Sequence, residues 1–171
     1  KAGTVVSGVL AAHGSIVLFS DLDQATPIGE VEKLLPWFEK GFDIVIGSRN
    51  SNREGAPLLR LIMARGFMFL RSTILGLRGI VDTQCGFKAF KNQVAQDIFG
   101  KLKLYGTKKT VSGSMVTAGF DIETLFLGRK LGYVIKEIAV EWHYIETRRV
   151  NPLKDSWQGL LDIIRIRLNS Y

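Results

Sequence analysis

The stretch from Ser15 to Ile46 constrains the fold more than any other part of the chain. Two short apolar runs, Ser15-Ile-Val-Leu-Phe19 and Phe42-Asp-Ile-Val-Ile46, bracket a segment with helical spacing. Runs rich in β-branched residues and bounded by turn residues suit strands buried on both faces. Between them, Ile28, Val31, Leu34, Leu35 and Phe38 share one helical face, and Gly41 ends it. Pro27 stands where a first helical residue belongs, with Thr26 as its N-cap. Strand, loop, helix and strand in that order predict an α/β layered sheet.

The remaining elements extend that pattern. Thr4 to His13 reads as a helix of small apolar residues closed by Gly14, and Pro57 to Gly76 as a long helix whose only charges are Arg60, Arg65 and Arg71. A helix so apolar is buried, or lies against a partner or a lipid surface. Val81 to Phe90 is a turn leading into a strand, Asn92 to Phe99 a short helix, and Lys101 to Ser114 a polar loop. Phe120 to Leu131 is a helix capped by Gly132, Tyr133 to Trp142 a strand, Glu146 to Asp155 a charged loop, and Ser156 to Asn169 an amphipathic helix. The expected fold is α/β, a mostly parallel sheet flanked by helices. Open α/β domains begin with a strand and this chain begins in a helix, so the expectation is a partial domain over residues 1–171, its N-terminal strand lying outside this sequence, with a terminal helix over 156–171.

Charge narrows the partners. Lys and Arg number 23 against 16 Asp and Glu, a net charge of +7 over 171 residues. That balance favours anions: phosphates, acidic lipid surfaces or nucleic acid. The basic residues are scattered, with no dense stripe, which argues against a nucleic-acid module. A single cysteine, Cys85, excludes an internal disulfide framework and suits a cytosolic setting. No apolar run approaches the roughly 20 residues of a membrane span. The P-loop, Gly-x-Ser-x-Gly and Gly-x-Gly-x-x-Gly are all missing, which removes the main support for P-loop enzymes, nucleophilic hydrolases and dinucleotide oxidoreductases.

Three constellations carry chemistry. Asp21-Leu22-Asp23 follows the first buried strand, and ligand sites in open α/β sheets lie beyond the carboxyl ends of strands. Two carboxylates there either approach a divalent cation, leaving positions for substrate phosphate, or serve as turn residues before Pro27. Gly47-Ser-Arg49-Asn50 follows the second strand, where a parallel neighbour would bring Arg49 to the same edge, either as a bidentate phosphate ligand or as a solvated turn residue. In Asp82-Thr-Gln-Cys-Gly-Phe87, Gln84 offers a neutral carbonyl oxygen and Gly86 admits close backbone approach. Nothing in the sequence sets His13 or His143 beside Cys85 as a base, so the cysteine reads as a small buried apolar residue.

Phe19-Ser-Asp-Leu-Asp-Gln-Ala-Thr-Pro27, Ile46-Gly-Ser-Arg49, Asp82-Thr-Gln-Cys-Gly-Phe-Lys88 and Gly119-Phe-Asp-Ile-Glu123 occur in an order that resembles inverting family 2 glycosyltransferases, closest to the dolichyl-phosphate and polyprenyl-phosphate branch. The resemblance implies a GT-A fold and a nucleotide-sugar donor bound through Mg²⁺ or Mn²⁺. Asp21, Asp23 and Gln84 would hold the metal, Arg49 and Arg65 would meet phosphates of donor or acceptor, and Asp121 would stand near the acceptor as the catalytic carboxylate. It further implies a polyprenyl phosphate acceptor, UDP-glucose in preference to GDP-mannose, and peripheral contact with the cytosolic face of a membrane. Interfacial contact would fall to the Pro57 to Gly76 helix and to Trp157, Leu160, Leu161, Ile164 and Leu168. Arg148, Arg149 and Lys154 would help gather the two phosphorylated substrates. The Gln-x-x-Arg-Trp motif of processive polysaccharide synthases is absent, against cellulose- or chitin-synthase-like chemistry. Two alternatives stay open: a family 2 enzyme with a soluble or glycan acceptor and Asp121 as essential base, and an inactive scaffold or basic anion-binding module.

Overall fold

A computed structural model of the chain describes residues 2–49, 58–106, 118–143 and 152–171, with side chains throughout except at 58–65, 118 and 152–156. The elements run α1 (Ala2–Leu10), β1 (Ile16–Phe19), a short 3-10 turn (Ile28–Glu30), α2 (Val31–Glu39), β2 (Ile44–Arg49), α3 (Leu58–Leu75), β3 (Lys88–Lys91), α4 (Asn92–Lys101), α5 (Ala118–Lys130), β4 (Ile135–Val140) and α6 (Pro152–Leu168). Each expected helix and strand is present among the described residues. Most of the expected loop Lys101 to Ser114 and residues 146–151 of the expected charged loop lie outside them, and α6 begins at Pro152, within the stretch expected as loop.

The four strands form one sheet in the order β1-β3-β2-β4. β2 and β4 pair in parallel, whereas β3 runs antiparallel to both of its neighbours. β1, β2 and β4 therefore point the same way, with β3 inserted against them. The sheet is mixed, and β1 meets β3 rather than β2. Because β1 and β2 still share a direction, their carboxyl ends leave the sheet at one edge, as the sequence predicts.

Strand alternation sorts the core into two layers. Ile44 and Ile46 of β2 and Phe90 of β3 face one side, packing with Phe19, Phe99, Phe120, Ile122 and Leu125. Val45 and Ala89 face the other, with Leu34, Phe87 and Val140. α5 lies close on the sheet at Gly128, where an added Cβ would stand 2.6 Å from Ile44 Cδ1.

One local expectation is corrected. Thr26 does not cap the helix: Pro27 occupies the cap of the 3-10 turn, and no side chain bonds there. The reason is that this segment is held elsewhere. Asp23 Oδ1 accepts the Ala25 N–H at 3.2 Å, and the Ala25 carbonyl accepts the His143 N–H at 2.7 Å, anchoring the turn to the end of β4. On α6, burial falls on Ile163 and Ile166, while Trp157, Ile164 and Leu168 of the stripe expected at an interface are 65%, 41% and 79% exposed. The helix packs on α3 and α5 through the adjacent face, and Gly159 lies against the Phe67 ring.

Candidate active site

The register lines up one end of the sheet. Lys88, the first residue of β3, pairs with Phe19 at the end of β1 and with Ile46 of β2, and Ile46 in turn faces Glu137 of β4. At this edge β1, β2 and β4 leave the sheet while the Asp82–Phe87 segment enters it. Asp21, Asp23, Arg49 and the Asp82–Gly86 turn meet there, and the first turn of α5 brings Asp121 beneath them.

Asp21 packs directly over Gly86. An added Cβ at Gly86 would overlap the Asp21 carboxylate, so only glycine leaves room for this side chain. The approach requires the absence of a Cβ rather than an unusual backbone angle. Asp23 and Gln84 are exposed, and Gln84 donates its backbone N–H to Asp82 Oδ1 at 3.1 Å. Among the described residues no three His, Cys, Asp or Glu side chains cluster closely enough to form an all-protein metal cage. A Mg²⁺-type ion does not need one, because it takes one or two carboxylates and fills its remaining positions with water and substrate phosphate. Hard oxygen donors at Asp21, Asp23 and Gln84, with the Asp21 carboxylate set over a glycine, fit such an ion.

Arg49 is engaged within the protein. Its Nε and Nη2 donate to the two oxygens of Asp82 at 2.7 and 2.8 Å, and its backbone N–H donates to Asp82 Oδ2 at 3.1 Å. The guanidinium also lies 5.7 Å from the Trp142 ring centroid, within cation–π range. Burial of Asp82 opposes ionisation, but the Arg49 fork outweighs it and holds the carboxyl below the usual carboxylate range. Glu137 accepts the N–H groups of Val81 and Asp82, each at 2.7 Å. From the opposite side, Arg71 donates to the Thr83 hydroxyl at 2.7 Å and to the carbonyls of Ile80 and Val81 at 3.1 and 2.9 Å. Arg71 is 3% exposed, and its Nε has no partner among the described residues. A turn gripped by Arg49, Glu137 and Arg71 is a rigid shelf for Gln84, Cys85 and Gly86.

Asp121 is buried and ion-paired. Lys88 Nζ lies 2.5 Å from its Oδ1, with the two side chains 0% and 6% exposed. The same ammonium donates to the Cys85 carbonyl and stands 5.4 Å from the Phe19 ring centroid. On α5 itself, Glu123 turns the other way. It accepts the backbone N–H groups of Lys103, Leu104 and Tyr105 and the Tyr171 hydroxyl, tying the loop after α4 and the residues after α6 to α5.

The structure thus brings Asp21, Arg49, the Gln84 turn and Asp121 to one edge. Arg65 lies on α3 with its side chain outside the described residues, as does that of Lys154, and Arg148 and Arg149 lie outside them entirely. Cys85 is buried against Gly47, and burial pushes its thiol pKa up, as suits an inert side chain. Sequence reasoning gave no role to Lys88, Asp82, Glu137 or Arg71. A signal existed for two of them: Lys88 is the one charge in Gly86-Phe-Lys-Ala-Phe90, and Arg71 the one charge in Phe67-Met-Phe-Leu-Arg-Ser-Thr-Ile-Leu75. A lone charge inside an apolar run calls for a buried partner.

Comparison with known proteins agrees with this geometry. Glycosyl transferase family 2 matches residues 1–99. A dolichyl-phosphate beta-glucosyltransferase of Dictyostelium discoideum is 35% identical over 98% of this chain and 50% of its own length. Its counterpart in Homo sapiens is 32% identical over 98% of this chain and 51% of that protein. The chain spans about half the length of the curated relatives it matches. Among solved structures, glucosyl-3-phosphoglycerate synthase from Mycobacterium tuberculosis in complex with uridine diphosphate superposes with a TM-score of 0.67 at 18% identity, covering 100% of this chain and 56% of that one. The same enzyme with Mn²⁺, uridine diphosphate and phosphoglyceric acid gives 0.64 at 17% identity, over 100% of this chain and 55% of that one. The α/β layers with their mixed sheet are thus similar to a GT-A glycosyltransferase structure.

Proposed function

Because the chain belongs to glycosyl transferase family 2, we propose that it forms part of an enzyme transferring a hexose from a nucleotide sugar to a polyprenyl phosphate such as dolichyl phosphate, with inversion at C1. The observation that carries this reading is the convergence of the Asp21 carboxylate, the Gly86 turn and the paired Asp121 at a single sheet edge. The names of the curated relatives support glucose as the sugar and dolichyl phosphate as the acceptor. UDP-glucose is the preferred donor and GDP-mannose the competitor.

Asp21, Asp23 and Gln84 are the residues that would hold Mg²⁺ or Mn²⁺. Such an ion, when bound, offsets the charge of a departing nucleoside diphosphate. Arg49 and Arg65 are the phosphate-facing cations of this reading. Arg49 meets a phosphate while its Nε–Nη2 side stays on Asp82, so the Asp82 pair fixes its direction. Asp121 is the carboxylate on the acceptor side. A polyprenyl phosphate is already an anion at neutral pH and attacks C1 without needing a strong base. Lys88 pairs with Asp121 and holds that carboxylate in place.

A lipid acceptor calls for contact with a membrane. Among the described residues no helix is long and apolar enough to cross one. Phe69 and Leu70 on α3, and Trp157, Ile164 and Leu168 on α6, are exposed, and the two helices pack together. Together they offer an apolar surface suited to interfacial contact, here assigned to the cytosolic face.

The test incubates the complete gene product with Mg²⁺ or Mn²⁺, a short polyprenyl phosphate and either UDP-glucose or GDP-mannose, and reads glycosylated lipid by mass spectrometry. Product that EDTA abolishes, and that Asp21→Ala with Asp23→Ala lowers by about 10³-fold or more, is the expected result. Metal-dependent donor hydrolysis without lipid product would retain glycosyl transfer and point to a soluble acceptor with Asp121 as base. Transfer that survives loss of both aspartates would overturn the metal assignment.

A further inference from the structure

We propose that Lys88 is a positioning residue for transfer, acting through Asp121. The proposal rests on the reading of Asp121 as the acceptor-side carboxylate. Lys88 begins β3 on the side of the sheet that faces α5, the same side as Phe90 two residues on, and it is wholly buried between Phe19 and Ile46. Its ammonium reaches two places at once. One contact is the Asp121 carboxylate in the first turn of α5, and the other is the Cys85 carbonyl, one residue before the glycine on which Asp21 rests. A single side chain thus joins the acceptor-side carboxylate to the turn that seats the candidate metal ligand.

Stability gives little reason for such a pair. Two buried charges lose about as much solvation as their attraction returns, and apolar residues of similar size would serve the fold as well or better. What the pair supplies is geometry: an ionised Asp121 aimed along a fixed line, in a position where a shift of about 1 Å costs about 100-fold in rate. The Asp121 carboxylate also lies in the N-terminal turn of α5, where the helix dipole favours an anion.

The experiment measures kcat and KM for lipid glucosylation by the complete gene product carrying Lys88→Met, Lys88→Arg, Asp121→Asn, or Lys88→Met with Asp121→Asn. We expect Lys88→Met to lower kcat by about 10- to 100-fold with the donor KM within about threefold of wild type. Lys88→Arg, which keeps the cation and its two contacts, recovers kcat to within about fivefold. In the Asp121→Asn background, Lys88→Met changes kcat by less than about threefold, because the group it acts through has lost its charge. An undiminished kcat in Lys88→Met overturns the proposal. So does a KM effect alone, or an equal loss in both backgrounds. Wild-type kcat in Asp121→Asn would instead remove the assignment of Asp121, and the proposal with it. If Lys88→Met fails to fold, Lys88→Gln, which removes the charge but keeps a polar end at the buried position, replaces it in the two backgrounds: a loss that appears only with Asp121 present supports the proposal, and the same loss in both, or none in either, overturns it.

Discussion

The two ends of the sheet treat their charges differently. Where β1, β2 and β4 finish, Asp121 and Lys88 are sealed from water, and Asp82 is 13% exposed beneath the Arg49 fork. At the opposite end, Asp43 pairs with Lys91 at 2.9 Å, with the side chains 22% and 39% exposed, and Asp97 accepts the Tyr133 hydroxyl at the surface. The outer pairs fasten strand and helix starts where water shares the load. The inner pairs order the Asp82–Gly86 turn, which has no secondary structure of its own to hold it, and tie it to the first turn of α5. Charge buried at high desolvation cost, at the edge where a ligand would sit, is what the proposed site would require of this end.

The sharpest way to break that contrast is at Gly86. In Gly86→Ala the new methyl group competes for space with the Asp21 carboxylate. That carboxylate is the far end of a flexible side chain and can swing aside, so the fold loses at most about 1 kcal/mol. The site loses the seat of its candidate metal ligand. Transfer is expected to fall by about 100-fold or more, with Mn²⁺ affinity weakened in parallel and the melting temperature little changed. Calorimetric Mn²⁺ titration beside a thermal melt separates the two effects. Retained Mn²⁺ affinity would show that Asp21 does not need its place over Gly86.

Removing Asp82 tests the inner end in another way. Asp82→Asn leaves the Arg49 fork without its anion and loosens the shelf that Arg71 and Glu137 grip from the other sides. The expected cost is about 1–3 kcal/mol, toward the lower end because a third of the Arg49 side chain meets water. The pH dependence follows from the lowered pKa of Asp82. Its contribution is complete above the unfolded carboxyl value of about 4 and disappears as pH falls through the lower folded value. Thermal melts of wild type and Asp82→Asn should differ most at neutral pH and converge below about pH 4. A gap that stayed constant down to pH 2 would mean the carboxylate charge contributes nothing.

Much of this arrangement was legible in the sequence, and the part that was not has a physical cause. The buried runs, the Pro and Gly punctuation and the placing of Asp21 and Arg49 at strand ends follow from local rules. The position of β3 does not. Turn chemistry in Asp82-Thr-Gln-Cys-Gly sets a local bend, but which strands accept the next one as neighbour depends on packing across the sheet. The place of Arg49 left a phosphate ligand and a solvated turn residue both open, and the structure shows an arginine held on a carboxylate. Its partner lies 33 residues away, a separation that no spacing rule connects. Lys88 was passed over because a lysine in a strand ordinarily faces water. Here its parity with Phe90 points it at α5 instead. On α6 the apolar periodicity was visible, but two neighbouring apolar stripes compete for burial, and Ile163 and Ile166 win it through contact with α3 and α5.

The outer end supplies the control for these inner perturbations. Lys91→Met removes the ammonium from Asp43 but leaves Asp43 Oδ2 accepting the Val134 N–H at 3.0 Å, and it leaves the backbone bond from the Lys91 N–H to the Asp43 carbonyl untouched. The lost pair is partly solvated, so its worth is below about 1 kcal/mol and falls further with added salt. For a chain of this size that means a melting shift of no more than about 4 °C. Transfer should stay within about twofold of wild type, because nothing in the pair reaches the other end of the sheet. Melts at low and high salt, run beside the transfer assay, check both statements. A tenfold loss of transfer in Lys91→Met would mean that strain at one end of β3 travels its length to Lys88, and the two ends would then have to be treated as one coupled unit.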